Sequence, residues 1–92
     1  MSDDYAIILN PFGDHLRRLR KGKRLSLIQV SALSGVDMGD ISRIEKGDIN
    51  FQYSTLCRLA AGLEMEPRQL FESLAWDPNW KEKYDKNKLL KK

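Results

Sequence analysis

At 92 residues, 41% of them hydrophobic and 32% charged, the chain carries enough apolar material for one modest core and too much for general disorder; a second, ligand-sensing domain is not expected, nor a small-molecule ligand. A single cysteine and a single histidine exclude an internal disulfide and a Cys/His zinc cluster, so neither metal nor cofactor is expected. The net charge of +3 is small in sum but segregated along the chain: six basic residues (Arg17, Arg18, Arg20, Lys21, Lys23, Arg24) stand against Asp14 between Phe12 and Arg24, and six lysines stand against three acids from Asp77 to Lys92.

The stretch between, Leu25 to Trp76, holds four basic and seven acidic residues. Two basic segments flanking a mildly acidic middle fit a polyanion gripped at its edges, and they also fit ordinary solvated helix faces. The longest apolar run, Tyr5 to Leu9, follows two aspartates. It is too short to span a bilayer and lacks the basic flank of a signal peptide, so no membrane association and a cytoplasmic location are expected.

In chain order, residues 1–10 read as an N-terminal arm, in which Tyr5 to Leu9 closes the domain, forms an interface with a second copy, or is a strand crossing to a partner chain. Asn10-Pro11 reads as a helix start, Asn capping free amides and Pro occupying the first helical position. Phe12, Leu16 and Leu19 give this first helix its apolar stripe, and Gly22 ends it. Ser26-Leu27-Ile28-Gln29 has capping-box spacing and predicts a second helix from Leu27 to about Ser34, stopped by Gly35. Asp37 caps a third, Met38 to Lys46, with Ile41 and Ile44 on one side and Gly47 beyond its end. Leu56, Leu59, Ala60 and Leu63 mark a fourth helix from about Tyr53. Pro67 opens a fifth, with Leu70, Phe71 and Leu74 facing inward. Residues 11–76 thus form the expected domain. Asp77-Pro78 starts a basic tail or sixth helix over residues 77–92, bearing Trp80 and Tyr84.

Only Gly35, Val36 and Asp37 join the second and third helices, so the two must cross steeply. That crossing asks for special residues. Ser31 is small where the helices approach, Gly35 supplies positive φ at the turn, and Val30, Val36, Ile41 and Ile44 fill the inward positions.

Leu25-Ser26, Ser34-Gly35-Val36, Ile41-Ser42-Arg43-Ile44-Glu45-Lys46-Gly47, Ser54-Thr55-Leu56 and Leu59-Ala60 together resemble, in order and spacing, the Cro and lambda-repressor helix-turn-helix family from about Phe12 to Leu74. The resemblance implies an all-α, five-helix lambda-repressor-like DNA-binding domain, here with an extra C-terminal helix as an option. It further implies a third helix lying in the major groove and two copies reading a two-fold symmetric operator. By matching positions, Met38, Gly39, Ser42 and Arg43 would face base edges: Arg43 bidentate to guanine, Met38 on a thymine methyl, Gly39 admitting close backbone approach. Phosphate contacts would fall to Ser26 and Leu27 at the start of the second helix, to Lys46 and Gly47, and to Asn50, Gln52 and Tyr53 before the fourth. Leucine at position 27 departs from the family, where a glutamine often contacts phosphate. Arg20 and Glu45 match positions that often form a structural ion pair.

Four acids, Asp37, Asp40, Glu45 and Asp48, sit on or beside a helix meant to approach phosphates. Capping accounts for Asp37 and the pair with Arg20 for Glu45. Asp40 either completes the cap or accepts a hydrogen bond from cytosine N4, and Asp48 has no account. His15 reads as a surface residue and Cys57 as a small side chain beside the core; neither has a partner for catalysis, so no enzyme is expected. Trp76, Trp80 and Tyr84 either close the domain or join two copies. The reading is a DNA-binding transcription regulator, more a repressor than an activator, acting on double-stranded DNA as a homodimer. Its rival is a protein-interaction module on the same fold that has lost DNA binding.

Overall fold

The computed structural model describes residues 5–90, with side chains described through Lys86. The first four residues of the expected arm and the last two lysines of the tail therefore lie outside the described residues.

The stripe Leu9, Phe12 and Leu16 sets the architecture by burying one face of α1, Ala6–Gly22. This helix starts earlier than the sequence predicts. Asn10-Pro11 is not its beginning: Pro11 lies inside the helix, and Tyr5 to Leu9 is helical, not a strand. A proline there deprives the Ile7 carbonyl of its helical donor, a cost offset by the burial of Leu9 and the packing of α1 on the C-terminal helix. Asn10 does not act as a cap but lies against Gly47 at the far end of the third helix. Gly22 is the last helical residue, yet the left-handed turn falls two places on, at Arg24 (φ 59°). Leu25 N–H donates to Arg20 O (3.1 Å) and Arg24 N–H to Lys21 O (2.9 Å), which closes the helix in a Schellman motif on a non-glycine residue.

α2, Leu27–Ser34, opens on the predicted capping box: Ser26 Oγ accepts from Gln29 N–H (3.1 Å) and Gln29 Oε1 from Ser26 N–H (2.7 Å). α3 spans Met38–Glu45 and α4 spans Tyr53–Gly62. The predicted fifth helix is shorter and tighter than expected, a single 3₁₀ segment over Pro67–Phe71. It buries Leu70 completely and half-buries neighbouring Leu74, whereas Phe71 stays exposed although its ring tilts against Phe12. Eclipsed i, i+3 side chains let a 3₁₀ segment bury only one narrow line, so three inward residues are not available to it. The final helix, α5, covers Trp80–Leu90, the optional sixth position.

Phe12, Leu16, Val30, Val36, Ile41, Ile44, Leu56, Leu59, Ala60, Leu63 and Leu70 form one core. Each fully buried aliphatic side chain there stabilises the fold by about 1.5–3 kcal/mol relative to exposure. α1 packs on α3 and α5, α2 packs on α3 and α4, and the 3₁₀ segment bridges α4 and α1. No strand occurs among the described residues. Nor is any described helix long and apolar enough to cross a membrane.

Candidate nucleic-acid interface

The connection between α2 and α3 is held rigid by its own side chains. Gly35 adopts φ 74° and its N–H donates to Ser31 O (2.8 Å). Ser31 Oγ donates to Val36 O (2.6 Å), Ser34 Oγ accepts from Val36 N–H (3.1 Å), and the Arg58 guanidinium of α4 donates to the Gly35 carbonyl. Position 31 is thus small and polar for two reasons, close approach and a bond across the turn. Asp37 Oδ2 then caps α3, accepting from Gly39 N–H (2.9 Å) and Asp40 N–H (3.3 Å).

With Ile41 and Ile44 facing the core, the opposite side of α3 looks outward. Met38 is 43% exposed, Arg43 is exposed, and Gly39 and Ser42 are half-buried between them. Arg43 does not point freely into solvent: its Nη2 donates to Asp40 Oδ1 at 2.7 Å. That bond raises the Arg43 pKa further above its already high ordinary value. Asp40 therefore serves neither side of the expected cap with its carboxylate; its side chain belongs to Arg43.

Arg20 and Glu45 do pair. Arg20 Nε meets Glu45 Oε2 at 2.7 Å and Nη2 meets Oε1 at 3.0 Å, with the two side chains only 11% and 6% exposed. The hydrogen bond that Arg20 donates to Glu45 is the main reason the Arg20 pKa is raised, ahead of the burial that opposes it. The pair locks the end of α3 to α1, and Arg20 Nη1 also holds the Leu25 carbonyl (2.9 Å) just before α2.

Two clefts flank α3. One is lined by Arg17, Arg20, Leu27, Ser42, Glu45 and Lys46, and so runs between α1, the start of α2 and the end of α3. The other, lined by Asp40, Ile44, Ile49, Asn50, Phe51, Gln52 and Thr55, separates α3 from the start of α4. The residues expected at phosphates accordingly divide into two groups on either side of the outward helix. Ser26 and Leu27 are at the amino end of α2, but the Ser26 N–H is taken by Gln29, leaving the Leu27 amide without a cap. Lys46 is exposed. Asn50 Oδ1 accepts from Phe51 N–H (3.0 Å), and Gln52 precedes an α4 whose first turn has no side-chain cap, beside the widely exposed Tyr53 (76%). An uncapped first turn directs unpaired N–H groups and a partial positive charge outward.

Gly47 is placed differently. It is buried with φ 73°, its N–H donates to Ile44 O (3.0 Å), and a Cβ would lie 2.0 Å from Asn10 Oδ1, so it is a packing and turn residue with no free amide. Asp48 N–H completes the same turn on Arg43 O (2.9 Å), while nothing in the structure explains the Asp48 carboxylate. His15, expected at the surface, is 6% exposed, and its Nε2 is buried without a hydrogen-bond partner. Helical spacing would have warned of this, since position 15 adjoins Leu16 and follows Phe12 by three. The sequence marked Arg17 only as one of six basic residues in its segment, without placing it in the first cleft, and gave no sign of Arg58 at the turn.

Comparison with known proteins agrees with this geometry. A family profile described as "Helix-turn-helix domain" matches residues 11–74. The chain is 36% identical over 58 residues, 62% of its own length and 42% of the relative's, to the uncharacterized HTH-type transcriptional regulator RghRB of Bacillus subtilis (strain 168). The chain thus spans less than half of that relative. The crystal structure of the restriction-modification controller protein C.AhdI from Aeromonas hydrophila superposes with a TM-score of 0.66 at 40% identity, covering 68% of this chain and 96% of that one. On the sequence, the turn geometry and these likenesses, the chain belongs to the Cro and lambda-repressor type of the helix-turn-helix family, a family of DNA-binding transcription regulators.

Proposed function

We propose that the protein binds operator DNA sequence-specifically through α3 and regulates transcription there, as a homodimer on a two-fold symmetric site and in the direction of repression. The observation that carries this reading is α3 itself: anchored from behind by Ile41, Ile44 and the Arg20–Glu45 pair, it turns Met38, Gly39, Ser42 and Arg43 outward between two polar clefts. A helix so presented fits the major groove, with base edges facing its exposed side and phosphates of the two strands running along the flanks.

In this reading Met38, Gly39, Ser42 and Arg43 face bases. The Leu27 amide, Lys46 and the first turn of α4, with Asn50, Gln52 and Tyr53, hold phosphates; Gly47 shapes the turn between them. The likeness to a restriction-modification controller protein supports a regulatory role. Selection of bound duplexes from a random pool by the purified protein tests the proposal. Recovered sites with two inverted half-sites are the expected result, and failure to enrich any sequence in dilute salt overturns it in favour of a protein-interaction role.

A further inference from the structure

Arg43 and Asp40 make a contact that neither the capping role nor the cytosine-reading role of Asp40 requires. Asp40 Oδ1 accepts from Arg43 Nη2 at 2.7 Å, both side chains being about half exposed (47% and 52%). The guanidinium lies back along the helix toward Gly39, where a Cβ would be 3.5 Å from Arg43 Nη2 and 3.0 Å from Asp37 Oδ2. A Cβ at 39 would thus press on the N-cap carboxylate and meet the arginine head in ordinary van der Waals contact. Nη2 is the one guanidinium nitrogen with a partner among the described residues, so Nε and Nη1 remain unpaired.

From this geometry we infer that Asp40 is a positioning residue for Arg43, which it orients, over the space left by Gly39, to read one guanine. The inference rests on the operator-binding reading above. Arginine recognises guanine by two parallel N–H bonds to O6 and N7, and a long side chain free in solvent must be ordered to make them. A carboxylate already holding one edge of the fork does that ordering beforehand and supplies an acceptor for an N–H that the groove would strip of water. The same carboxylate repels phosphates, so its retention on this face costs general affinity and gains discrimination.

Opposed effects give the test. Random-pool selection and binding titrations on full-length wild type, D40A, D40N, R43A and the D40A/R43A double variant are compared, with thermal melts verifying that each is folded. R43A is expected to lose preference at one base pair by about 5-fold to 150-fold. D40A is expected to relax that same base pair by about fivefold or more while binding random duplex as tightly as wild type or more tightly, with D40N between. In the R43A background, removing Asp40 should change no base preference. Relaxation at a different base pair would identify Asp40 as a reader in its own right and overturn the inference. So would unchanged selectivity in D40A, or a parallel loss of specific and non-specific binding. Failure of wild type to select any sequence would instead overturn the operator-binding reading itself.

Discussion

Arg20 and Glu45, twenty-five residues apart, meet as a two-bonded ion pair that sits under the end of α3. Because Arg20 also holds the Leu25 carbonyl, one guanidinium ties α1, the loop ahead of α2 and the last turn of α3 together.

Removing one partner leaves the other charge in a nearly dry site. Glu45→Ala should therefore cost about 3–5 kcal/mol in urea-unfolding experiments, well above the effect of an exposed pair. Replacing both by apolar residues of similar volume, Arg20→Met with Glu45→Leu, should recover most of that loss, since no buried charge is then orphaned. An equal loss in the double variant would show that the Leu25 contact, not the charge pair, dominates.

Gly13 and Gly22 lie in the same helix and should respond oppositely to alanine. At Gly13 a Cβ would fall 2.4 Å from Ile44 O and 2.6 Å from Glu45 O, both backbone atoms unable to swing aside. Gly13→Ala should push α3 off α1 and destabilise by at least about 1–3 kcal/mol. At Gly22 nothing lies within 4 Å of that position, and Gly22→Ala should raise the melting temperature, through up to about 1 kcal/mol of helix propensity. Differential scanning calorimetry of the two variants checks both signs.

Gly13 also marks where reading a sequence loses its grip. The periodicity of Val30, Ile41, Ile44, Leu56 and Leu59 and the short-range chemistry of Ser26, Gln29, Gly35 and Asp37 are local, so α2, the turn, α3 and the start of α4 were legible before any coordinates. The start of α1 was not. Asn10-Pro11 carries a strong helix-start signature, but tertiary burial of Leu9 outweighs the backbone bond that Pro11 removes. The 3₁₀ segment misled likewise, because its apolar spacing is compatible with a full helix. At the candidate site, periodicity set Ile41 and Ile44 on one side of α3, while the choice of Met38, Gly39, Ser42 and Arg43 on the other came from positions matched to the resembled family. The i, i+3 spacing of Asp40 and Arg43 permits their pairing, but the inward role of Gly47 and the presence of Arg17 in a cleft depend on side-chain placement, which spacing does not encode.

His15 gives the protein a pH dependence of known sign. Burial is the main reason its pKa lies below 6.5, with nearby Arg18 acting in the same direction and the Glu72 backbone opposing them. The folded state therefore binds a proton less readily than the unfolded chain. Stability from neutral His15 is complete above the unfolded value and is lost as the pH falls through about 6.5 toward the lower folded value. Unfolding midpoints measured from pH 8 to pH 5 should decline below about 6.5 in the wild type. In His15→Leu, which also removes the unpartnered Nε2, this decline should vanish and leave the carboxylate losses at lower pH. A wild-type profile flat to pH 5 would mean that the ring is hydrated and not buried.

Arg43 on α3 and Lys46, the residue just past its end, are three positions apart but should fail in different ways if the one reads a base and the other grips the backbone. Lys46 is exposed at the mouth of the cleft that also contains Arg17, and no carboxylate pairs with it among the described residues. A lysine in such a place neutralises phosphate without regard to sequence. Lys46→Ala should weaken every duplex alike and make the slope of log affinity against log salt shallower by about 1. Arg43→Ala should cost about 1–3 kcal/mol on the selected site and little on duplexes altered at the guanine it reads. Titrations of both variants on matched and altered duplexes at several salt concentrations separate the two roles. If Arg43→Ala instead lowers affinity uniformly and flattens the salt slope, Arg43 is a phosphate contact and the reading face of α3 lies nearer Met38 and Ser42.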